Sequence, residues 1–296
     1  MISKGTQYLS AAGFGNIRVT AASMGSLDIL GTWRWLTGTT KQAILGAFGA
    51  RDGAAVIKAT NAYLNALAAT DRTKATALAG VINEDPMMVC SLGLEPELTV
   101  LSGMPLRGLG ANGTSYVKLA IKANQDTKAK YLGYLVASNG SGAAFMAGKG
   151  ASQYIYGFYN GGSKSWDDYN DDYDLGPHFN NTWMPTGIHE IYKDKAKLYI
   201  DGTLIRTAAA ATFDTDTLAV LAVHYGSTYG RIAVTGNIAA QFEIETFGQS
   251  YWFFATKQNG AMKFVDILTG DVCEQVGTFS EAYVLPDGTP WTPSTP

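Results

Sequence analysis

Charge is scarce in this 296-residue chain, with Asp, Glu, Lys and Arg together making up 16% of it. The net charge of −3 leaves no basic footprint for nucleic acid, whose binding rests on neutralising phosphates. Residues 1–96 hold 8 Lys and Arg against 6 Asp and Glu, and the remainder holds 14 against 19, so neither part is polarised enough to indicate a charged partner. Cysteine is rarer still. Cys90 and Cys273 make neither a disulfide framework nor a zinc quartet, and two buried thiols are expected. No apolar run approaches the length of a membrane span, so membrane insertion is not expected. Met1–Gln7 leads into no apolar signal region, and a protein made in the cytoplasm is expected. No Gly-x-Ser-x-Gly, His-Glu-x-x-His or phosphate-binding loop occurs. The three histidines, His178, His189 and His224, are scattered without metal-ligand spacing.

Glycine, tyrosine and alternation are abundant instead. The 34 Gly and 16 Tyr, with low charge, suit strands and tight turns. Hydrophobic residues at 46% supply a sizeable core. Near the N-terminus, Asn16–Thr20 and Thr32–Leu36 alternate as short strands would. Residues 54–69 are Ala-rich and place Ile57, Tyr63, Leu64 and Leu67 near one helical face. Thr70 or Asp71 is a cap for a second helix carrying Leu78, Val81 and Ile82, and Asp85-Pro86 ends it. Leu94–Glu97 reads as a boundary, because beyond it the hydrophobic period becomes two. Ser115–Lys122, Tyr131–Ala137, Gln153–Tyr159, Lys197–Ile200, Leu218–Val223 and Ile238–Glu245 all alternate. Turn pairs separate such segments: Asn112-Gly113, Asn139-Gly140, Asn160-Gly161, Asp201-Gly202, Asn259-Gly260 and Asp287-Gly288. Many short strands with such turns predict an all-β sandwich or barrel. Leu198, Ile200, Leu204 and Ile205 are expected as core around the Asp201-Gly202 hairpin. Gln241, Glu243 and Glu245 are expected on a wet face, opposite Phe242, Ile244 and Phe247. Residues 286–296 hold four prolines and run extended, and Trp291 favours docking of this tail over disorder.

Five blocks occur in an order that resembles a known family. Gly108–Asn124 is similar to the opening strand of a laminin G-like, concanavalin A-like jelly-roll family found in gut bacteria, their prophages and phages. His189–Ile205, containing Leu198-Tyr-Ile-Asp-Gly202, resembles its hairpin. Leu218–Ser227, Gly236–Ile244 and Phe253–Gly270 resemble its later strands, and the likeness covers about residues 104–279. Two departures stand out: Gly248–Trp252 replaces the family's Arg-Asp, and residues 160–186 form a long aromatic insertion. Residues 1–96 resemble no family. The implied fold is mainly β: an antiparallel jelly-roll sandwich over residues 97–285, after a small, partly helical anchoring or assembly module over 1–96 and before the Pro-rich tail.

Chemistry is confined to a few places. Glycosidases of this fold carry Glu-x-Asp-x-x-Glu on one strand, and the nearest run is Glu243-Ile-Glu245, whose third acid is missing. A solvated strand face is the expected role of these acids. Trp166–Asp174 is acidic and aromatic. Asp168, Asn170 and Asp172 fit the first three positions of a calcium loop, but Tyr173 replaces its glycine and no Glu closes it, so a rim calcium site is the remaining metal reading beside a solvated loop. Tyr156, Tyr159, Trp166, Tyr169 and Tyr173 are candidates for a patch that stacks sugar faces or contacts a partner.

The resemblance and the two-part layout lead to a non-catalytic structural or binding protein of a bacteriophage virion, as a capsid-decorating, head-fibre or tail component. On that reading the N-terminal module meets other virion proteins, copies form a homo-oligomer, and the sandwich meets host-surface glycans weakly but in many copies. The chain would leave its host by lysis, within the particle. A carbohydrate-binding module of a bacterial surface protein is the alternative, and a glycoside hydrolase the third.

Overall fold

A computed structural model describes residues 6–11, 15–20, 27–28, 53–92, 105–137, 142–150, 153–161, 164–170, 172–173 and 184–293. The expectations for Thr32–Leu36, Asn139-Gly140, His178 and the Leu94–Glu97 boundary lie outside these residues. The chain begins with a small antiparallel sheet of β1 (Thr6–Ala11), β2 (Gly15–Thr20) and β3 (Leu27–Asp28), in which β2 contains the expected Asn16–Thr20 strand. The helical hairpin follows as α1 (Gly53–Thr70) and α2 (Arg72–Glu84), then a 3-10 turn over Pro86–Ser91.

The hairpin forms where its sequence predicts. The Asp71 carboxylate accepts from the Lys74 backbone N–H at 2.9 Å and caps α2. Ala75, Leu78, Ala79 and Ile82 recur at helical spacing and are buried together with Tyr63 and Leu64 of α1. Asp85 closes α2 through its N–H to the Val81 carbonyl, and Pro86 begins the 3-10 turn.

After residue 104 the chain is strand upon strand. In order these are β4 (Leu106–Gly110), β5 (Tyr116–Asn124), β6 (Lys128–Leu135), β7 (Ala143–Lys149), β8 (Gln153–Gly161), β9 (Lys164–Tyr169) and β10 (Asp172–Tyr173). Next come β11 (Gly187–Asp194), β12 (Lys197–Ile200), β13 (Thr203–Thr207), β14 (Asp214–Val220), β15 (Val223–Tyr225) and β16 (Thr228–Gly230). The last are β17 (Ile238–Thr246), β18 (Gln249–Gln258), β19 (Ala261–Asp266), β20 (Glu274–Val276) and β21 (Ser280–Val284). The first of two large sheets runs β10-β9-β8-β7-β14-β5-β20, with the β15–β16 hairpin attached to β7. The second runs β13-β12-β11-β6-β17-β18-β19, with β4 joining β17 to β21. Pairing is antiparallel except between β15 and β7. The protein is therefore mainly β, with two antiparallel sheets stacked as a sandwich.

The sheets meet over one core. Tyr131, Phe145, Tyr156, Phe158, Phe242 and Phe264 are completely buried in it. Period two decides which residues enter. On β18, Phe253 faces this core, while Trp252 and Phe254 face outward into a second cluster with α1, α2 and the 3-10 turn. The helical hairpin is thus a third layer over β18, sharing apolar contacts with the sandwich. Tail residue Trp291 docks there too: its N–H reaches the Tyr283 carbonyl at 3.1 Å, and its ring meets the Tyr283 ring edge-on at 5.3 Å.

Three side chains depart from the expected faces. Gln241 is buried rather than wet: its cross-strand partner Phe254 packs with the helices, and it accepts from the Trp252 indole at 3.2 Å. Phe247 is 61% exposed because it occupies a left-handed turn position (φ 49°) before Gly248. Leu204 is 49% exposed on β13 at the rim of the second sheet. Asn160-Gly161 ends β8 in paired strand rather than forming the turn itself. The Asp201-Gly202 and Asn259-Gly260 turns form as read, with positive φ at all four residues.

Candidate functional site

A groove of about 550 Å³ opens where the lateral edge of the sandwich is incompletely closed. Strand β20 pairs with β5 only at Tyr116, Val117 and Lys118. Beyond that point, among the described residues, no strand continues along this edge of β5. The opening reaches down to Leu119, Ile121 and Phe253, and its rim carries Lys118, Thr217, Tyr229, Tyr251, Asp271 and Glu274.

Each rim group is held by neighbours. Lys118 Nζ donates to Glu274 Oε1 at 2.6 Å across the β5–β20 pair and lies 5.3 Å over the Tyr229 ring. Tyr229 stacks with Tyr116 at 4.7 Å and with the His224 imidazole at 4.2 Å. His224 Nδ1 is in turn 2.9 Å from the Thr217 hydroxyl. Burial lifts the Tyr229 phenol above its ordinary pKa, against opposing contributions from Thr217 and Lys118. Tyr251 stacks parallel to Phe253 at 6.1 Å, extending the row of core rings out to the surface. Asp266, at the end of β19, is spent on structure: it accepts from the Trp252 and Leu268 N–H groups and from the Thr269 hydroxyl. Burial, with Asp266 and Asp271 nearby, pushes the Cys273 thiol up to about 12, so it stays protonated at neutral pH and is a poor nucleophile. The groove thus offers aromatic edges, donors and acceptors over an apolar floor, a combination suited to holding a polyhydroxylated ligand.

The set of candidate aromatics is built differently from its expectation. Tyr156 is completely buried, and its hydroxyl donates to the Thr127 carbonyl at 3.2 Å. Tyr169 is buried, donates to the Gln125 carbonyl at 3.0 Å, and meets Phe213 edge-on at 4.9 Å. Tyr159 is 5% exposed, with the Arg231 guanidinium 5.7 Å over its ring. These three rings are interior packing, which corrects the expectation of a sugar-stacking patch made from them. Trp166 lies opposite Tyr159 on β9, and Tyr173 opposite Asp168 on β10; their side chains lie outside the described residues. The calcium candidates also separate. Asp168 is buried, whereas Asn170 is exposed in the left-handed turn (φ 56°) that links β9 to β10. Asp172 pairs with Tyr169, and its side chain lies outside the described residues. Among the described residues, no three His, Cys, Asp or Glu side chains form a group able to hold a metal ion.

Beneath Tyr156 lies a buried charge cluster. Lys193 of β11 reaches from the second sheet to Asp167 of β9 in the first; both side chains are completely buried. Lys193 Nζ donates to Asp167 Oδ1 and to the Asp168 carbonyl. Arg206 of β13 donates to Asp167 Oδ2 at 3.1 Å.

The acids Glu243 and Glu245 do stand on the outward face of β17, over a shallow depression shared with Glu190 and Tyr192. Each meets a lysine: Glu243 pairs with Lys74 of α2, Glu245 with Lys128, and Glu190 with Lys130. Glu245 and Glu190 are thus held in cross-strand ion pairs, and Glu243 in a pair to the helix.

Sequence reasoning passed over the groove because its residues come from β5, β14, β16, β18 and the β19–β20 segment. Lys118 read only as the polar face of an alternating strand. The available signal was the brevity of the Glu274–Val276 pairing segment between Gly270 and Gly277, which leaves the edge of β5 open. Fold and groove together define a class: a two-sheet antiparallel sandwich with a lateral cleft and a helical layer. Comparison with known proteins found no matching family model and no match among curated proteins.

Proposed function

We propose that this chain is a structural and binding protein of a bacteriophage virion, a capsid-decorating, head-fibre or tail component that displays its sandwich to host-surface glycans. The observation that carries the binding half of this reading is the edge groove, with Lys118, Thr217, Tyr229 and Glu274 poised over an apolar floor. Hydroxyl-rich ligands pair with such donors and acceptors while their flatter faces rest on rings and aliphatic carbon. The virion half rests on the resemblance to laminin G-like domains carried by phages. The helical hairpin supports a two-part role, since it is fastened to one sheet face and leaves the groove uncovered. Weak contact at each groove, multiplied over many copies on a particle, gives useful avidity.

Two measurements test the reading. Antibody against this chain, viewed by electron microscopy, is expected to label purified particles; unlabelled particles overturn the virion assignment. On a glycan array the full chain is expected to bind, and Lys118→Ala with Glu274→Ala to weaken binding by about tenfold or more. Binding unaffected by both changes removes the groove from the reading. Glycan binding without particle labelling favours the carbohydrate-binding module of a bacterial surface protein.

A further inference from the structure

We propose that Lys193 and Asp167 condense into an isopeptide bond that staples the two sheets of the sandwich together. The two side chains come from strands in opposite sheets, β11 and β9, and meet with no exposure to solvent. Apart from Arg206 and the buried Asp168, apolar residues adjoin them. Lys193 lies between its cross-strand partners Ala129 and Leu198, both buried, and Asp167 lies opposite Phe158. The Tyr156 ring sits 5.1 Å from Nζ and closes the site on one side. Two reactive groups held in contact, away from water, gain the large advantage of an intramolecular reaction.

The carboxylate is addressed differently at its two oxygens, and this sets the course of the reaction. Oδ1 accepts from Lys193 Nζ, while Oδ2 accepts from Arg206 Nη1 at 3.1 Å. Proton transfer from the ammonium to Oδ1 gives an amine beside a carboxylic acid, the form a water-poor interior favours over separated charges. Nζ then attacks Cγ, and the Arg206 guanidinium stabilises the negative charge that develops on Oδ2. A second proton passes from nitrogen to Oδ1, the Cγ–Oδ1 bond breaks, and water leaves. The Cγ–Nζ bond remains as an amide whose carbonyl oxygen is Oδ2. Nothing is oxidised or reduced, and no co-reactant enters. The product keeps the Arg206 contact, gives up both charges of the pair, and closes the chain between residues 26 apart. That loop carries residues 168–186 of the aromatic insertion, so the bond would tie down that stretch. The inference holds whatever the groove binds.

Mass spectrometry of the full chain under denaturing conditions tests it. The intact mass is expected about 18 Da below the sum of the residues, the mass of one water lost on forming the amide. Trypsin is expected to leave Lys193 uncut and to release residues 165–195 with the same deficit. Lys193→Met and Asp167→Ala are each expected to abolish the deficit, and neither has to fold for its mass to be read. A wild-type chain at its full sequence mass, or normal cleavage after Lys193, overturns the proposal.

Discussion

At the junction of helices and sandwich, Arg107 is completely buried between Asp85 and Glu281; inside the sandwich, Lys193 and Arg206 share Asp167. The two clusters solve the same problem on different terms. Arg107 Nη1 meets Asp85 at 2.6 Å, and its Nε and Nη2 meet Glu281 at 2.8 and 2.7 Å. Asp85 also accepts from the Lys257 N–H and the Thr256 hydroxyl, and Glu281 accepts from Lys257 Nζ and the Tyr283 hydroxyl. Strands β4, β18 and β21 and the end of α2 therefore converge on one guanidinium, two carboxylates and a solvent-reaching lysine. In the interior cluster, Lys193 and Arg206 both donate to Asp167. Burying charge is costly unless partners are complete, and at the junction each carboxylate meets several donors. It joins layers, while the interior cluster joins sheets.

The largest effect is expected from removing the shared anion of each cluster. Asp85→Ala leaves Arg107 with Glu281 alone and takes the acceptor from Lys257 and Thr256. Breaking a buried pair of this kind costs about 3–5 kcal/mol. Asp167→Ala removes the group that Lys193 and Arg206 share, and with it the proposed cross-link between the sheets, and is expected to cost more. Denaturant midpoints of the two variants measure the difference. An Asp167→Ala protein as stable as the Asp85→Ala protein would mean that the interior cluster is not the more demanding one.

Neither cluster was visible in the sequence, and the reason is physical. Arg107 stands in a short strand, directly before a glycine that permits close approach; a Cβ on Gly108 would lie 2.3 Å from the Ala239 carbonyl oxygen. Nothing local marks that arginine as buried, because its partners are 22 and 174 residues away. Lys193 lies in the run Tyr192-Lys-Asp-Lys195, which reads as a solvated hairpin. What was legible is what neighbours in the chain decide: the capped helix from Asp71, the stop at Pro86, the period of two, and the Asp-Gly and Asn-Gly turns. Layering decided the rest. Gln241 is buried beside Phe254 and Trp252, which pack under the helical layer, and Tyr156 is buried because the second sheet lies over it. The groove's one local sign was the short Glu274–Val276 segment, and its other residues come from distant strands.

A middle-sized effect separates the clusters by pH. Burial alone would raise the Glu281 carboxyl, but Arg107, Lys257 and Tyr283 hold it below its usual value of 4.5. A depressed value contributes stability that is present above the usual one and is lost as pH falls through the folded one. Glu281→Gln is therefore expected to be less stable than wild type at neutral pH, with the gap narrowing as pH falls below 4.5. Urea midpoints across that range measure it. A gap that stays constant would show that Glu281 acts at the junction through packing and hydrogen bonds rather than through its charge.

The smallest effect belongs to Lys257, which touches both anions of the junction by different routes. Its ammonium reaches Glu281 at 2.9 Å but is 44% exposed, so water and salt screen that pair. Its backbone N–H meets Asp85 Oδ2 at 2.6 Å, and a side-chain substitution leaves that bond in place. Lys257→Met also keeps an apolar stem of similar length to lie along β18. The expected loss is about 0–1 kcal/mol, read from the denaturant midpoint at low and at high salt. The difference from wild type should shrink as salt rises, because only the screened pair has been removed. A loss as large as that of Asp85→Ala would place the lysine charge at the centre of the junction, and the guanidinium with its two carboxylates would then no longer suffice to hold the helices on the sheet.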